Sequence, residues 1–85
     1  MPHHMKHKNF SRHMVALQRA KESGEVRVTT EEAGAVICRY RDNPDVVLFY
    51  NLYAETVQVL LYDNLTPLAV YETNQPLVLA ASLAK

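Results

Sequence analysis

VVLFYNLYAETVQVLLYDNLTPLAVYET, residues 46–73, is the stretch on which the fold turns. Residues 46–52, 56–63 and 68–73 are dense in β-branched and aromatic side chains and read as strands with a period of two. Turn chemistry separates them: Tyr53-Ala54-Glu55 between the first two, and Asp63-Asn64-Leu65-Thr66-Pro67 between the second two. Connections this short imply antiparallel neighbours, and a three-stranded meander is the economical topology. A competing reading makes Asn43-Pro44-Asp45 the cap of a long helix, because proline is favoured at the first helical position. The β-branched and aromatic density argues against it.

Both faces of this sheet are apolar. In the first strand Val46, Leu48, Tyr50 and Leu52 alternate with Val47, Phe49, Asn51 and Tyr53. In the second, Val57, Val59 and Leu61 oppose Gln58, Leu60 and Tyr62; in the third, Leu68 and Val70 oppose Ala69 and Tyr71. An antiparallel strand with one wet face should place a polar residue at every second position, and these strands do not. One face is expected to be covered by helices. The face assigned Phe49, Leu60, Tyr62 and Tyr71 then needs either the C-terminal segment 77–84 or a second protein over it.

Upstream of the meander, residues 9–23 read as a helix, with Phe10, Met14 and Leu17 at three- and four-residue spacing and Asn9 or Ser11 as its cap. Gly24 closes it and Val26 supplies the apolar contact behind. Residues 26–29 alternate as a short strand. Thr29 with Glu32 matches a capping box, and Ala33, Val36, Ile37 and Tyr40 then follow at helical spacing, predicting a second helix that ends at Asp42. The alternative is a strand through Val36, Cys38 and Tyr40. Downstream, 77–84 is either a short helix capped by Asn74 or a fourth strand. The expected fold class is α+β, with one or two N-terminal helices packed on a three- or four-stranded antiparallel meander. Its boundaries are a flexible basic, histidine-rich segment 1–8 and a single domain 9–85.

The chain has 85 residues, 48% of them hydrophobic, and a formal net charge of zero. So small a domain buries roughly 60–65% of its unfolded surface, which leaves apolar material looking for a partner. Cys38 is the lone cysteine, so no intramolecular disulfide forms and a reducing, cytoplasmic setting is expected. No apolar run reaches the length of a membrane span. The zero net charge divides into halves of opposite sign. Lys6, Lys8, Arg12, Arg19 and Lys21 gather at the front with all four histidines, whereas residues 42–84 contain no Lys, Arg or His.

Each chemical reading meets a plainer one. His3, His4, His7 and His13 lack the fixed geometry and cysteine partners that a zinc site requires, and solvated histidines explain them. The basic front could neutralise about four or five phosphates, but no nucleic-acid-binding motif accompanies it. Base stacking on the sheet is disfavoured by Asp45, Glu55, Asp63 and Glu72 with no compensating cation in the back half. Cys38 beside Arg39 and Arg41 reads as a buried structural residue, and Glu31 and Glu32 as capping acids. Two glycines cannot build a phosphate loop.

The expectation is a non-enzymatic protein–protein interaction module of inhibitor or adaptor type, homodimeric through the sheet or docked on a basic protein surface. No cofactor, metal, membrane or small-molecule ligand is called for. Phe49, Tyr53, Leu60, Tyr62 and Tyr71 are the expected contacts, with Glu55, Asp63 and Glu72 at the rim. The alternative is a small DNA-binding regulator using Lys6, Lys8, Arg12, Arg19 and Lys21.

Overall fold

The computed structural model describes residues 9–85. Helix α1, Phe10–Ser23, forms where the spacing predicts it and buries Leu17 and Ala20. Burying Leu17 contributes about 1.5–3 kcal/mol. Asn9 precedes the helix without a side-chain capping bond. At the other end Gly24 adopts φ 81; its N–H donates to Lys21 O, and Glu25 N–H donates to Ala20 O at 2.9 Å. This pair of reversed bonds satisfies the last carbonyls and aims the chain into β1.

Five strands follow: β1 (Val26–Glu32), β2 (Ala35–Tyr40), β3 (Asn43–Asn51), β4 (Thr56–Asp63) and β5 (Thr66–Glu72). They form one sheet in chain order, with every neighbouring pair antiparallel. A second helix, α2 (Pro76–Leu83), ends the architecture. The fold is therefore α+β, with five strands in place of three or four and, among the described residues, one N-terminal helix of the one or two expected.

The predicted helix ending at Asp42 is overturned. Ala33 and Gly34 both take positive φ, 52 and 79, and close a two-residue hairpin between Glu32 and Ala35. Thr29 caps nothing; its hydroxyl donates to Ile37 O at 3.2 Å across the ladder. The helical spacing of Ala33, Val36, Ile37 and Tyr40 lost because β1 offers a partner strand, so the alternation Val36, Cys38, Tyr40 faces a core. All three are buried. At the C-terminus the helical alternative holds, but its cap is Gln75, one residue beyond Asn74, with Pro76 in the first turn.

One contiguous core joins Leu17 and Ala20 of α1 and Ala80 of α2 to Val26, Val36, Cys38, Tyr40, Val46, Leu48, Tyr50, Val57 and Val59. All nine sheet residues belong to one face. Both helices therefore lie on the same side: α1 packs on β1, and α2 packs on β3 and β4. The C-terminal segment, one of the two covers considered for the second face, packs on the first instead. Among the described residues no helix is long and apolar enough to cross a membrane.

Candidate functional site

The sheet face turned away from the helices is built from rows of paired residues. One row runs Arg27, Arg39, Val47, Leu60, Val70 from β1 to β5. The next runs Thr30, Ile37, Phe49, Gln58, Glu72. Tyr62 extends the face beyond Leu60 by strand alternation. Val47 is 4% exposed yet stands outside the helix-side core, shielded by its own row. Ile37, Phe49, Leu60 and Tyr62 are half-buried, while Leu68 and Val70 are 59% and 57% exposed.

Of the expected contact residues, Phe49, Leu60 and Tyr62 are brought together here. Tyr71 is not. It pairs with Val59 and packs against the helix-side core. The cause is a bulge on β5, where Leu68 is the extra residue facing the step from Leu61 to Tyr62 on β4. The hairpin starts with Asp63 opposite Thr66 and Tyr62 opposite Pro67, then skips to Leu61 opposite Ala69. One extra residue turns every later side chain of β5 to the other face, so Val70 faces Leu60 and Glu72 takes the place opposite Gln58 that regular pairing would give Tyr71. Pro67 cannot donate to the ladder, which suits an edge strand and an interrupted register.

Tyr53 stands apart in the β3–β4 turn, 80% exposed, with its ring over Gly34. Asn51 Oδ1 accepts from the N–H groups of Tyr53 and Ala54 and shapes that turn. Glu55 lies in the same turn at φ 56, and Asp63 is exposed at the end of β4. Only Glu72 of the expected rim acids belongs to the apolar face.

The sheet does possess cations, contrary to the expectation from the back half. Pairing of β1 and β2 onto the meander places Arg27 and Arg39 in the row of Val47. Arg39 donates to Pro44 O at 2.8 Å. Arg27 and Glu72 are exposed and form no ion pair among the described residues. Sequence alternation already grouped Val47 with Phe49; Ile37, Arg27, Arg39 and Val70 were hidden by the missed hairpin and the bulge.

The basic alternative fares differently. Lys6, Lys8, His3, His4 and His7 lie outside the described residues. Arg12 and Arg19 flank exposed Val15 along a shallow groove of ≈ 670 Å³ on α1, also bordered by Ala16 and Glu25. Lys21 is exposed on α1 near Cys38, whose thiolate it favours.

Cys38 is a free, buried thiol on β2. Burial pushes its pKa up from 9.0 to about 11, outweighing Lys21, so it is a poor nucleophile at neutral pH. Tyr40 donates to Glu25 Oε2 at 3.0 Å, and burial together with that bond raises its pKa. Tyr50 is fully buried with a hydroxyl that finds no hydrogen-bond partner, and burial raises its pKa strongly. Among the described residues no three His, Cys, Asp or Glu side chains are grouped to hold a metal ion.

The chain matches no family model, no curated protein and no solved structure.

Proposed function

We propose that the chain is a non-enzymatic protein–protein interaction module that docks through the sheet face opposite its helices. The observation that carries this reading is the placement of both helices on one side. It leaves Ile37, Phe49, Leu60, Tyr62, Leu68 and Val70 as a contiguous apolar surface around buried Val47, with charged margins. An apolar centre with Phe and Tyr and a charged rim is the composition of a protein contact. The edges of the sheet are poorly suited to the same task. β1 carries Arg27, Glu31 and Glu32 with a bulge at Thr29, and β5 carries Pro67 with its own bulge.

Residue-specific photocrosslinking in the native cell tests the reading. A benzophenone amino acid at Leu68 or Val70 is expected to form covalent protein adducts, and one at exposed Val78 on α2 is not. Adducts absent from both sheet positions, or equally abundant at Val78, overturn it.

A further inference from the structure

We infer that α1 is a hinged lid: it undocks about Gly24 as a unit while the sheet and α2 stay folded, and its undocking is the event that brings the Cys38 thiol to solvent. The inference concerns the helix side of the sheet and stands independently of the docking reading for the other face.

The two helices are attached differently. α1 packs on β1, the edge strand, and of its fourteen residues Leu17 and Ala20 are buried, with Phe10 and Met14 half-buried beside them. α2 is eight residues long and packs on both β3 and β4. It buries Pro76 and Ala80 and rests Leu77, Leu79, Ala81 and Leu83 against the core. The element with the fewer buried apolar groups opens at the lower free-energy cost. Once off the sheet, a helix of fourteen residues is marginal by itself.

The joint permits a swing. Glu25 is anchored to the sheet twice: Arg41 N–H donates to Glu25 O at 2.9 Å, and the Tyr40 hydroxyl donates to Glu25 Oε2 at 3.0 Å. Gly24 stands between that anchor and the helix, exposed and at φ 81. A Cβ there would meet the end of the Arg41 side chain at 3.7 Å, so the joint is open, and glycine turns freely about φ.

Beneath the lid lie two polar groups held away from water. Cys38 and Tyr50 are both 0% exposed and share the core with Leu17 and Ala20. They stand diagonally across the β2–β3 ladder, since Cys38 pairs with Leu48 and Val36 with Tyr50. Lys21 of α1 is the charge that favours the Cys38 thiolate; behind burial, Cys38 and Glu25 raise the Tyr50 pKa. These neighbours put both groups under the C-terminal half of α1 and its joint. The Tyr50 hydroxyl has no hydrogen-bond partner, so undocking solvates it and lowers the cost of opening. Fraying of β1 alone would leave Cys38 covered, because its side chain projects from the sheet toward the helices and not into the ladder.

Thiol labelling of the full chain with an excess of a small aromatic disulfide, over a urea series, tests the lid. At low urea Cys38 is expected to react at a rate proportional to reagent, nearly independent of urea, and at least about tenfold faster than global unfolding allows. Leu17→Ala is expected to accelerate that low-urea reaction about thirtyfold or more, and the milder Met14→Ala to shift it in the same direction. Tyr71→Leu, on the far strand β5, should lower global stability yet leave the low-urea rate unchanged, because the undocked state keeps Tyr71 packed. Circular dichroism of each variant confirms the fold. Labelling that follows the global urea slope throughout, with Leu17→Ala and Tyr71→Leu accelerating it in proportion to the stability each loses, overturns the lid. A urea-independent rate that neither Leu17→Ala nor Met14→Ala changes assigns the opening to another element and overturns it equally.

Discussion

The ring of Tyr53 fills the space above Gly34: a Cβ built on Gly34 would stand 2.5 Å from Tyr53 Cε2. The two residues sit in adjacent turns at one end of the sheet, joined by the Leu52 N–H donating to Gly34 O at 2.8 Å. Gly34→Ala is expected to cost about 1–2 kcal/mol, chiefly because φ 79 is unfavourable for an L-residue. The exposed ring can swing away, so Tyr53→Ala should rescue only a few tenths. Chemical denaturation of the two single variants and the double variant separates these contributions; a large rescue would make the ring contact the dominant cost.

Leu65 presents the opposite case. It holds φ 80 in the two-residue turn between Asp63 and Thr66 while 85% exposed. Leu65→Gly should therefore raise stability by about 0.5–1 kcal/mol, read as a higher denaturation midpoint at unchanged slope.

Tyr50 and Tyr40 differ in a single respect that mutation can expose. The Tyr50 hydroxyl is buried and unpaired, so Tyr50→Phe is expected to be neutral or stabilising by up to about 1 kcal/mol. Tyr40→Phe removes a bond to the Glu25 carboxylate and is expected to destabilise by about 1–2 kcal/mol. Thermal unfolding of both variants distinguishes the two sites.

Alkaline pH should unfold the domain through its buried acids. Below pH 9 Cys38 is a thiol in both states; between 9.0 and about 11 the unfolded chain ionises while the native chain holds its proton. The unfolded state then binds fewer protons, so stability falls as pH rises across that window. Tyr50 and Tyr40, both raised, steepen the loss further up the scale. Cys38→Ala should be less stable at pH 7 but show a shallower decline above pH 9 in denaturant titrations.

The two sheet faces make contrasting demands. Tyr71→Ala opens the helix-side core and should cost about 2–4 kcal/mol with little direct effect on docking. Leu60→Arg lies on the open face and should abolish docking while leaving most of the stability. Parallel denaturation and photocrosslinking measurements decide between this division of roles and a single continuous core.

Local chemistry within a few residues was legible. Helix α1 and its Gly24 stop, the turn at 53–55, a turn within 63–67 that the structure tightens to Asn64-Leu65, and the β character of residues 46–73 all follow from short-range pattern, because caps, turns and β-branched density act between near neighbours. The apolar nature of both faces was legible for the same reason, since alternation needs only the sequence of one strand.

Long-range pairing decided the rest. Residues 29–42 satisfy helical spacing and strand alternation alike, and only the presence of β1 beside them made the hairpin the better burial. The bulge at Leu68 reversed β5, moving Tyr71 inward and Val70 outward, which no count along the strand reveals. The chain by itself determined that this small sheet would be apolar on two sides. The tertiary structure decided which side the helices take, because both connections return to the same face, and it brought Arg27 and Arg39 across from the basic half to border the side left open.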